Sequence, residues 1–377
     1  MKLGHLETRK LVLKTLAPVF IGSGREINKK EYVYSPNGHK VLIPELYKMY
    51  DYLEGKKLAA RYEEFLLNGR EDLLGFLRSN KVSDGEINTF TSYEIDAGDA
   101  VIDERTRKGI LLFIKDRQNR PFIPGSSMKG ALRTILLAYY LKKSPGRETQ
   151  ANRIIEASRR EDMSRNRFLR DEAQRLEAGI FNTLGLKINK PEDAVNDFLK
   201  AVSISDSAPL ALNTMALCTK KDFSSQGNEK TIPLYRECIK PGIELDFTMT
   251  LDRSVAAKAG FDWDDFGDAL NTFNEVYEDS FMSRFKLPPQ SEITPCKTGR
   301  IIYLGGGAGF ISKTVVYPLM GRKPGLEYTS RLLNARFPKE HNHKEDPVLG
   351  VSPHMCKFTQ YGGKLYPMGR CELVIGN

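Results

Sequence analysis

An α+β fold is predicted for this 377-residue chain, and three observations predict it. Ile243, Leu245, Phe247, Met249 and Leu251 alternate strictly with Glu244, Asp246, Thr248 and Thr250, the period of a half-buried strand. Helical patterns stand among such strands without regular alternation, and both halves of the chain contain the same mixture. Together these features point to two split βαβ units of ferredoxin-like type carrying helical insertions.

Residues 8–21, TRKLVLKTLAPVFI, read as a strand ending in a GSG turn at Gly22 to Gly24. EYVYSPNGHKVLIP follows as a hairpin, with Pro36, Asn37 and Gly38 in its turn. From Glu45 to about Asn80, apolar residues such as Leu46, Met49, Tyr50 and Leu53 recur at spacings of three and four, which predicts helices. ILLFI, at Ile110 to Ile114, is short enough to be a buried strand. RPFIPGSSMKGALRTILLAYYLKK then reads as a strand end, a Pro-Gly turn and a long helix, capped by Ser126 or Ser127 and closed by Lys142 and Lys143.

After Pro145 the character changes. Residues 146–179 alternate basic and acidic side chains with few aliphatics, as in a solvent-laced helical hairpin or partly disordered insertion. The expected organisation is an N-terminal domain at 1–145, a charged helical insertion or linker at 146–185, and a C-terminal domain at 186–377. In that last part DFLKAVSISDSAPL and IPLYRECIKPGIELDFTMTLD supply strands, and residues 262–285 an amphipathic helix with Asp262 as its cap. RIIYL is a further strand, and a helical patch from Tyr328 to Phe337 precedes a strand pair turning at Gly362 and Gly363.

The chain is 40% apolar and 28% charged, long enough for two cores. No run approaches the roughly 18–20 apolar residues of a membrane span, and MKLGHLETRKLVLKTL carries charges where a signal peptide is apolar, so a cytoplasmic protein is expected. The five cysteines, Cys218, Cys238, Cys296, Cys356 and Cys371, form no CxxC pair, which argues against a zinc knuckle or a disulfide framework. His341 and His343, the tight histidine pair in FPKEHNHKEDP, read as part of a solvated loop, and no metal or cofactor is expected. The net charge of +9, from 57 basic and 48 acidic side chains, suits an anionic partner.

Two motifs carry candidate chemistry. In PGSSMKGALR a helix N-terminus offers free N–H groups and a positive dipole end, while Lys129 and Arg133 share one face of the opening turns. Cations are unfavourable there, and an outside anion resolves the conflict. Gly130, at a cost of about 1 kcal/mol relative to alanine, signals close approach of another backbone. The alternative is that the glycines serve only turns and packing.

The second motif is YLGGGAGFISKT, Tyr303 to Thr314, which approximates a Walker phosphate loop. Read from Gly307, Ser312 stands where the second glycine is required, and Pro318 opposes the long helix such a loop needs. Gly305, Gly306, Gly307 and Gly309 expose successive N–H groups. With Lys313 and the aromatic residues Tyr303, Phe310 and Tyr317, they suit a sugar-phosphate chain with stacked bases better than one triphosphate. A merely flexible loop is the alternative.

Catalytic machinery is sparse: there is no GxSxG and no HExxH, and Asp96, Asp99 and Asp103 read as an ordinary polar loop. A metal-independent ribonuclease needs a general base, for which His5, His39 and His354 are the candidates, and nothing in their context singles one out.

PFIPGSSMKGALRT and YLGGGAGFISKT, in that order, resemble the RAMP proteins of CRISPR effector complexes, most closely the family of fifth subunits of the Csm (type III-A) complex. LKTLAPVFIGSG, AVSISDS, YRECIKPGIELDFTMTL and the final hairpin extend the match over most of the chain, whereas residues 144–180 and much of 45–105 carry no matching motif. The helix-start motif is shared by many RAMP proteins, and the GGGAGFISKT form is more particular to this subunit. The resemblance implies two ferredoxin-like, RRM-type domains that bind guide RNA (crRNA) toward its 3′ end, cap a filament of backbone subunits and support 3′ maturation by placing or recruiting host nucleases. It further implies that Ser126, Ser127, Lys129 and Arg133 meet phosphates in the first domain, and Gly305, Gly306, Gly307, Gly309 and Lys313 in the second. No catalytic residue is carried over. The leading expectation is a non-catalytic RNA-binding subunit without cofactor or membrane partner; the alternatives are a metal-independent endoribonuclease acting on the crRNA precursor and a P-loop-like NTPase.

Overall fold

The computed structural model describes residues 4–35, 38–100, 109–160, 162, 168–339 and 341–376; Pro36, Asn37 and Asp103 lie outside them. β1 (Leu6–Thr15) turns Leu11 and Leu13 inward between Lys10, Val12 and Lys14. GSG does not form the expected turn but opens β2 (Gly22–Ile27), whose register slips between Gly22 and Glu26 while Gly24 takes φ +82°. A glycine bulge bends the strand there without ending it.

β3 (Val33–Ser35) and β4 (Lys40–Pro44) form the expected hairpin. The helical stretch resolves into α1 (Leu46–Gly55), α2 (Ala59–Asn68), α3 (Leu73–Ser79) and α4 (Asp84–Thr89). These bury Met49, Leu53, Phe65 and Phe76 in a small core of their own. β5 (Thr91–Asp96) and β6 (Ile110–Phe113) precede the long α5 (Gly125–Lys143), and the charged segment supplies α6 (Arg147–Arg160) and α7 (Arg170–Phe181).

β7 (Val202–Ile204), β8 (Met215–Ser224) and β9 (Glu229–Ile239) follow, then β10 (Glu244–Asp252), where the alternation seen in sequence becomes alternating exposure and burial. After α8 (Arg253–Lys258), α9 (Trp263–Ser280) is capped by Asp262 in a capping box with Asp265. β11 (Ile301–Tyr303), α10 (Val316–Met320), α11 (Arg322–Arg336) and α12 (Asp346–Leu349) lead to β12 (Met355–Tyr361), β13 (Lys364–Pro367) and β14 (Arg370–Ile375).

The fold is α+β, as expected. One sheet has the order β11-β14-β1-β10-β7 with every pair antiparallel. Taken along the chain, β1, α5, β7, β10, α9 and β14 make a βαββαβ unit whose strands lie 4-1-3-2, the split βαβ arrangement. Its helices pack together, and the Tyr139 hydroxyl donates to Asp268 Oδ2 at 3.2 Å.

A second sheet runs β2-β6-β9-β8-β5-β4-β3, with β12 joined to β8 and to β13. Both sheets draw strands from either side of residues 146–185, so the interval expected to separate domains in sequence does not separate the sheets. At the centre of the second sheet the fully buried Glu237 carboxylate pairs with Lys115. It also accepts from the Tyr93 hydroxyl and the Phe113 N–H, each at 2.7 Å, tying β5, β6 and β9 together.

Candidate nucleic-acid interface

α5 begins with Pro124, not a serine, at its N-cap. The capping acceptor comes from elsewhere: Asp206 Oδ1 accepts from the Gly125 N–H at 2.8 Å, a charge-assisted bond at the positive end of the helix. Ser207 Oγ accepts from the Ile123 N–H at 3.0 Å, so the SDS of AVSISDS latches onto PGSSMKG. A Cβ on Gly125 would lie 2.2 Å from the Ile204 carbonyl oxygen, and only glycine permits that approach.

Lys129 is half-buried and donates to the Val202 carbonyl at 2.7 Å; burial holds its ammonium below the usual lysine range. Arg133 pairs with Asp197 at 2.6 Å and Glu177 at 3.1 Å, and lies 4.1 Å over the Phe181 ring. Acids of the chain itself therefore resolve the conflict for which an outside anion was expected. Ser126 is exposed and Ser127 half-buried, while nothing lies within 4 Å of a Cβ placed on Gly130. Among the described residues that glycine meets no other backbone.

The glycine-rich loop docks on the segment between β1 and β2. Gly305, Gly307 and Gly309 take φ of +77°, +88° and +95°, the left-handed region that glycine enters freely. A Cβ on Gly305 would stand 2.0 Å from the Phe20 carbonyl oxygen, and the Gly306 N–H donates to that same oxygen at 2.8 Å. Ser312 Oγ donates back to the Ala308 and Gly309 carbonyls at 3.0 and 3.1 Å. One 3-10 turn, Ile311–Lys313, and the five-residue α10 follow, so the loop does not open the long helix whose N-terminus cradles a triphosphate. Tyr303 and Tyr317 are buried, the first against Tyr277 and the second bonded to the Ser352 carbonyl, which takes both from the expected stacking set. Phe310 remains half-exposed.

Beside the loop lies a basic face that the sequence did not reveal. Arg236 of β9 stands opposite Cys218, and Lys357 of β12 opposite Asp222, with Lys220 two residues before Asp222 on β8. A Cβ on Gly307 would meet Arg236 Nη1 at 2.4 Å, and one on Gly309 would meet Lys357 Cγ at 3.5 Å. Lys357 and Lys220 share the single buried carboxylate of Asp222, at 2.7 and 3.9 Å. Among the described residues neither Arg236 nor Lys313 makes an ion pair, and Arg236 Nε is buried without a hydrogen-bond partner. Burial lowers the pKa of Arg236, Lys220 and Lys313, and the Arg236 guanidinium lowers that of Lys313 further. Of four cations against one acid, three positive charges are uncompensated. No local pattern signals this cluster, because its members come from three strands and a loop.

The two motifs sit at opposite edges of the first sheet, the loop after β11 and the start of α5 against β7. Four inter-strand gaps of about 4.8 Å put the edge strands that carry them on the order of 19 Å apart, before any offset along the strands. A polymer can span that interval, whereas a single nucleotide cannot.

The candidate general bases lie on separate elements. His5 is exposed before β1, His39 Nε2 is 2.7 Å from the Gly98 carbonyl, and His354 Nδ1 is 2.5 Å from Asp346. Asp96 pairs with Lys240 at 3.0 Å and Asp99 accepts from the Gly363 N–H at 2.7 Å, so both fasten turns. His343 is not in a solvated loop: it is buried, with Nδ1 3.0 Å from the equally buried Asp346, whose carboxylate needs such donors.

A family model described as the RAMP superfamily matches residues 12–285. A curated relative from Mycobacterium tuberculosis (strain H37Rv), named CRISPR system Cms protein Csm5, is 31% identical, with 98% of each chain covered. Its namesake from Streptococcus thermophilus is 30% identical, covering 82% of this chain and 80% of its own. Among solved structures, a chain of a type III-A Csm–crRNA–target RNA ternary complex superimposes with TM-score 0.65 at 19% identity, over 97% of this chain and 100% of that one. The crystal structure of T. onnurineus Csm5 gives TM-score 0.58, also at 19% identity, over 96% and 99%. On this match in sequence over nearly its whole length, the chain belongs to the RAMP superfamily and, within it, to the Csm5 family.

Proposed function

We propose that this chain is the Csm5-type subunit of a type III-A CRISPR effector complex, gripping crRNA toward its 3′ end, capping the backbone filament and supporting 3′ maturation without cutting RNA itself. The observation that carries the reading is the basic face of Arg236, Lys220, Lys357 and Lys313 beside the glycine-rich loop, three positive charges in excess. Such a surface suits a phosphate backbone read for charge and shape rather than sequence. Gly305, Gly306, Gly307 and Gly309 let the loop lie close against Phe20, Arg236 and Lys357, which seats it beside that basic face. From the first motif the exposed Ser126, with Ser127 beside it, is the part free to meet a phosphate, while Lys129 and Arg133 fix the helix start.

The test is to co-express the complex with Arg236→Gln/Lys313→Gln and measure crRNA per complex and its 3′-end distribution on a denaturing gel. Reduced crRNA, or longer and ragged 3′ ends, is expected. Unchanged content and ends overturn the assignment. In parallel, the isolated chain is expected to leave labelled precursor intact with and without magnesium; cleavage that His354→Ala abolishes would establish the endoribonuclease reading instead.

A further inference from the structure

We propose that His343, Asp346 and His354 form a site for a divalent transition-metal ion of the zinc class, independent of the RNA-binding reading. Within HNHKEDPVLGVSPH, folding brings one ligand atom from each of the three within 4.8 Å of the others. Among the described residues no other group of three histidine, cysteine or acidic side chains meets in this way. Asp346 is fully buried and central, with one oxygen 3.0 Å from His343 Nδ1 and the other 2.5 Å from His354 Nδ1. The two imidazole rings stand 4.9 Å apart.

Two imidazole nitrogens and a carboxylate are the borderline donor set that selects zinc over calcium or magnesium, and three protein ligands leave a fourth position open. A tetrahedral ion about 2.0–2.1 Å from each ligand separates ligand atoms by roughly 3.3 Å, so the two contacts of Asp346 with the histidines, at 3.0 and 2.5 Å, open by less than about 1 Å, while ligand atoms now as far apart as 4.8 Å draw together. His341, half-exposed with its ring 5.6 Å from that of His343, is the nearest further imidazole for the fourth position, which water otherwise fills.

The surroundings hold the ligands in place, as outer-shell partners of a metal site do. Ser352 Oγ donates to Asp346 Oδ2 at 2.6 Å, Ser330 Oγ to the His343 carbonyl at 2.7 Å, and the Tyr317 hydroxyl to the Ser352 carbonyl at 2.7 Å. His354 immediately precedes β12, so the ion would pin α12 and the loop after it to the strand that carries Lys357.

The experiment uses the purified full-length chain, stripped with chelator and titrated with Zn²⁺ and with Co²⁺. One Zn²⁺ per chain is expected, with a higher melting temperature, and a four-coordinate Co²⁺ spectrum lacking the thiolate charge-transfer band that cysteine ligation produces. His354→Ala is expected to weaken Zn²⁺ binding at least about tenfold. Binding of less than about a tenth of an equivalent by the wild-type chain, a thiolate band, or equal affinity in His354→Ala leaves only a hydrogen-bonded triad and overturns the proposal. Should His354→Ala misfold by circular dichroism, the wild-type stoichiometry and cobalt spectrum decide.

Discussion

Replacing Arg236 and Lys313 by glutamine removes the two cations of the basic face that lack any acidic partner among the described residues. Each phosphate neutralised on a single strand contributes about 0.7 to the slope of log affinity against log salt. Losing two contacts therefore lowers the slope by about 1.4, and across a fourfold rise from about 50 to 200 mM salt this amounts to a factor of about seven. The wild-type chain is expected to lose about sevenfold more affinity over that range than the variant. Fluorescence anisotropy with labelled single-stranded RNA at several KCl concentrations measures both slopes. Lys10→Gln, at an exposed lysine already paired with Asp246 at 2.8 Å on the other sheet, serves as control and keeps the wild-type slope. Equal slopes for wild type and double variant refute the reasoning, because charges that touch phosphate must release counterions.

Other consequences are equally direct. Lys115→Met leaves Glu237 charged and buried without its cation, and urea denaturation is expected to show a loss of about 3–5 kcal/mol. Two glycine substitutions have opposite signs: Gly305→Ala drives a Cβ against the Phe20 carbonyl at positive φ and destabilises, whereas Gly130→Ala, in open space on α5, raises stability by up to about 1 kcal/mol, both read from melting curves. Burial pushes the Glu372 carboxyl up, but hydrogen bonds led by the Thr298 N–H outweigh it and hold it below its usual range. Its contribution is thus complete above the unfolded value near ~4.3 and is lost as pH falls through the lower folded value, so Glu372→Gln flattens the acid side of the stability profile.

Much of the local structure was legible because it depends on neighbours in sequence. The alternation at 243–251 is β10, Asp262 caps α9, and Gly362 with Gly363 turns β12 into β13. The cap of α5 was not legible, since Asp206 reaches Gly125 from 81 residues away. Nor was the GSG bulge, because a glycine triplet ends a strand or bends it according to the strand beside it.

The candidate site divides along the same line. The glycines and Lys313 were visible as a run, and residue type is what permits the positive φ of Gly305, Gly307 and Gly309. Arg236, Lys220 and Lys357 were not visible, because charges scattered over β8, β9 and β12 become one surface only through strand register. Burial likewise reassigned Tyr303 and Tyr317 from stacking to core, and His343 from a solvated loop to a buried carboxylate. The sequence by itself determined the elements, the two motifs and the family resemblance, all carried by short-range periodicity and residue chemistry. Only the tertiary structure decided that β1 lies between β10 and β14, that the two motifs stand at opposite edges of one sheet, and which cations keep an uncompensated charge. Pairing across hundreds of residues is set by the joint burial of both sheets, and no local pattern encodes it.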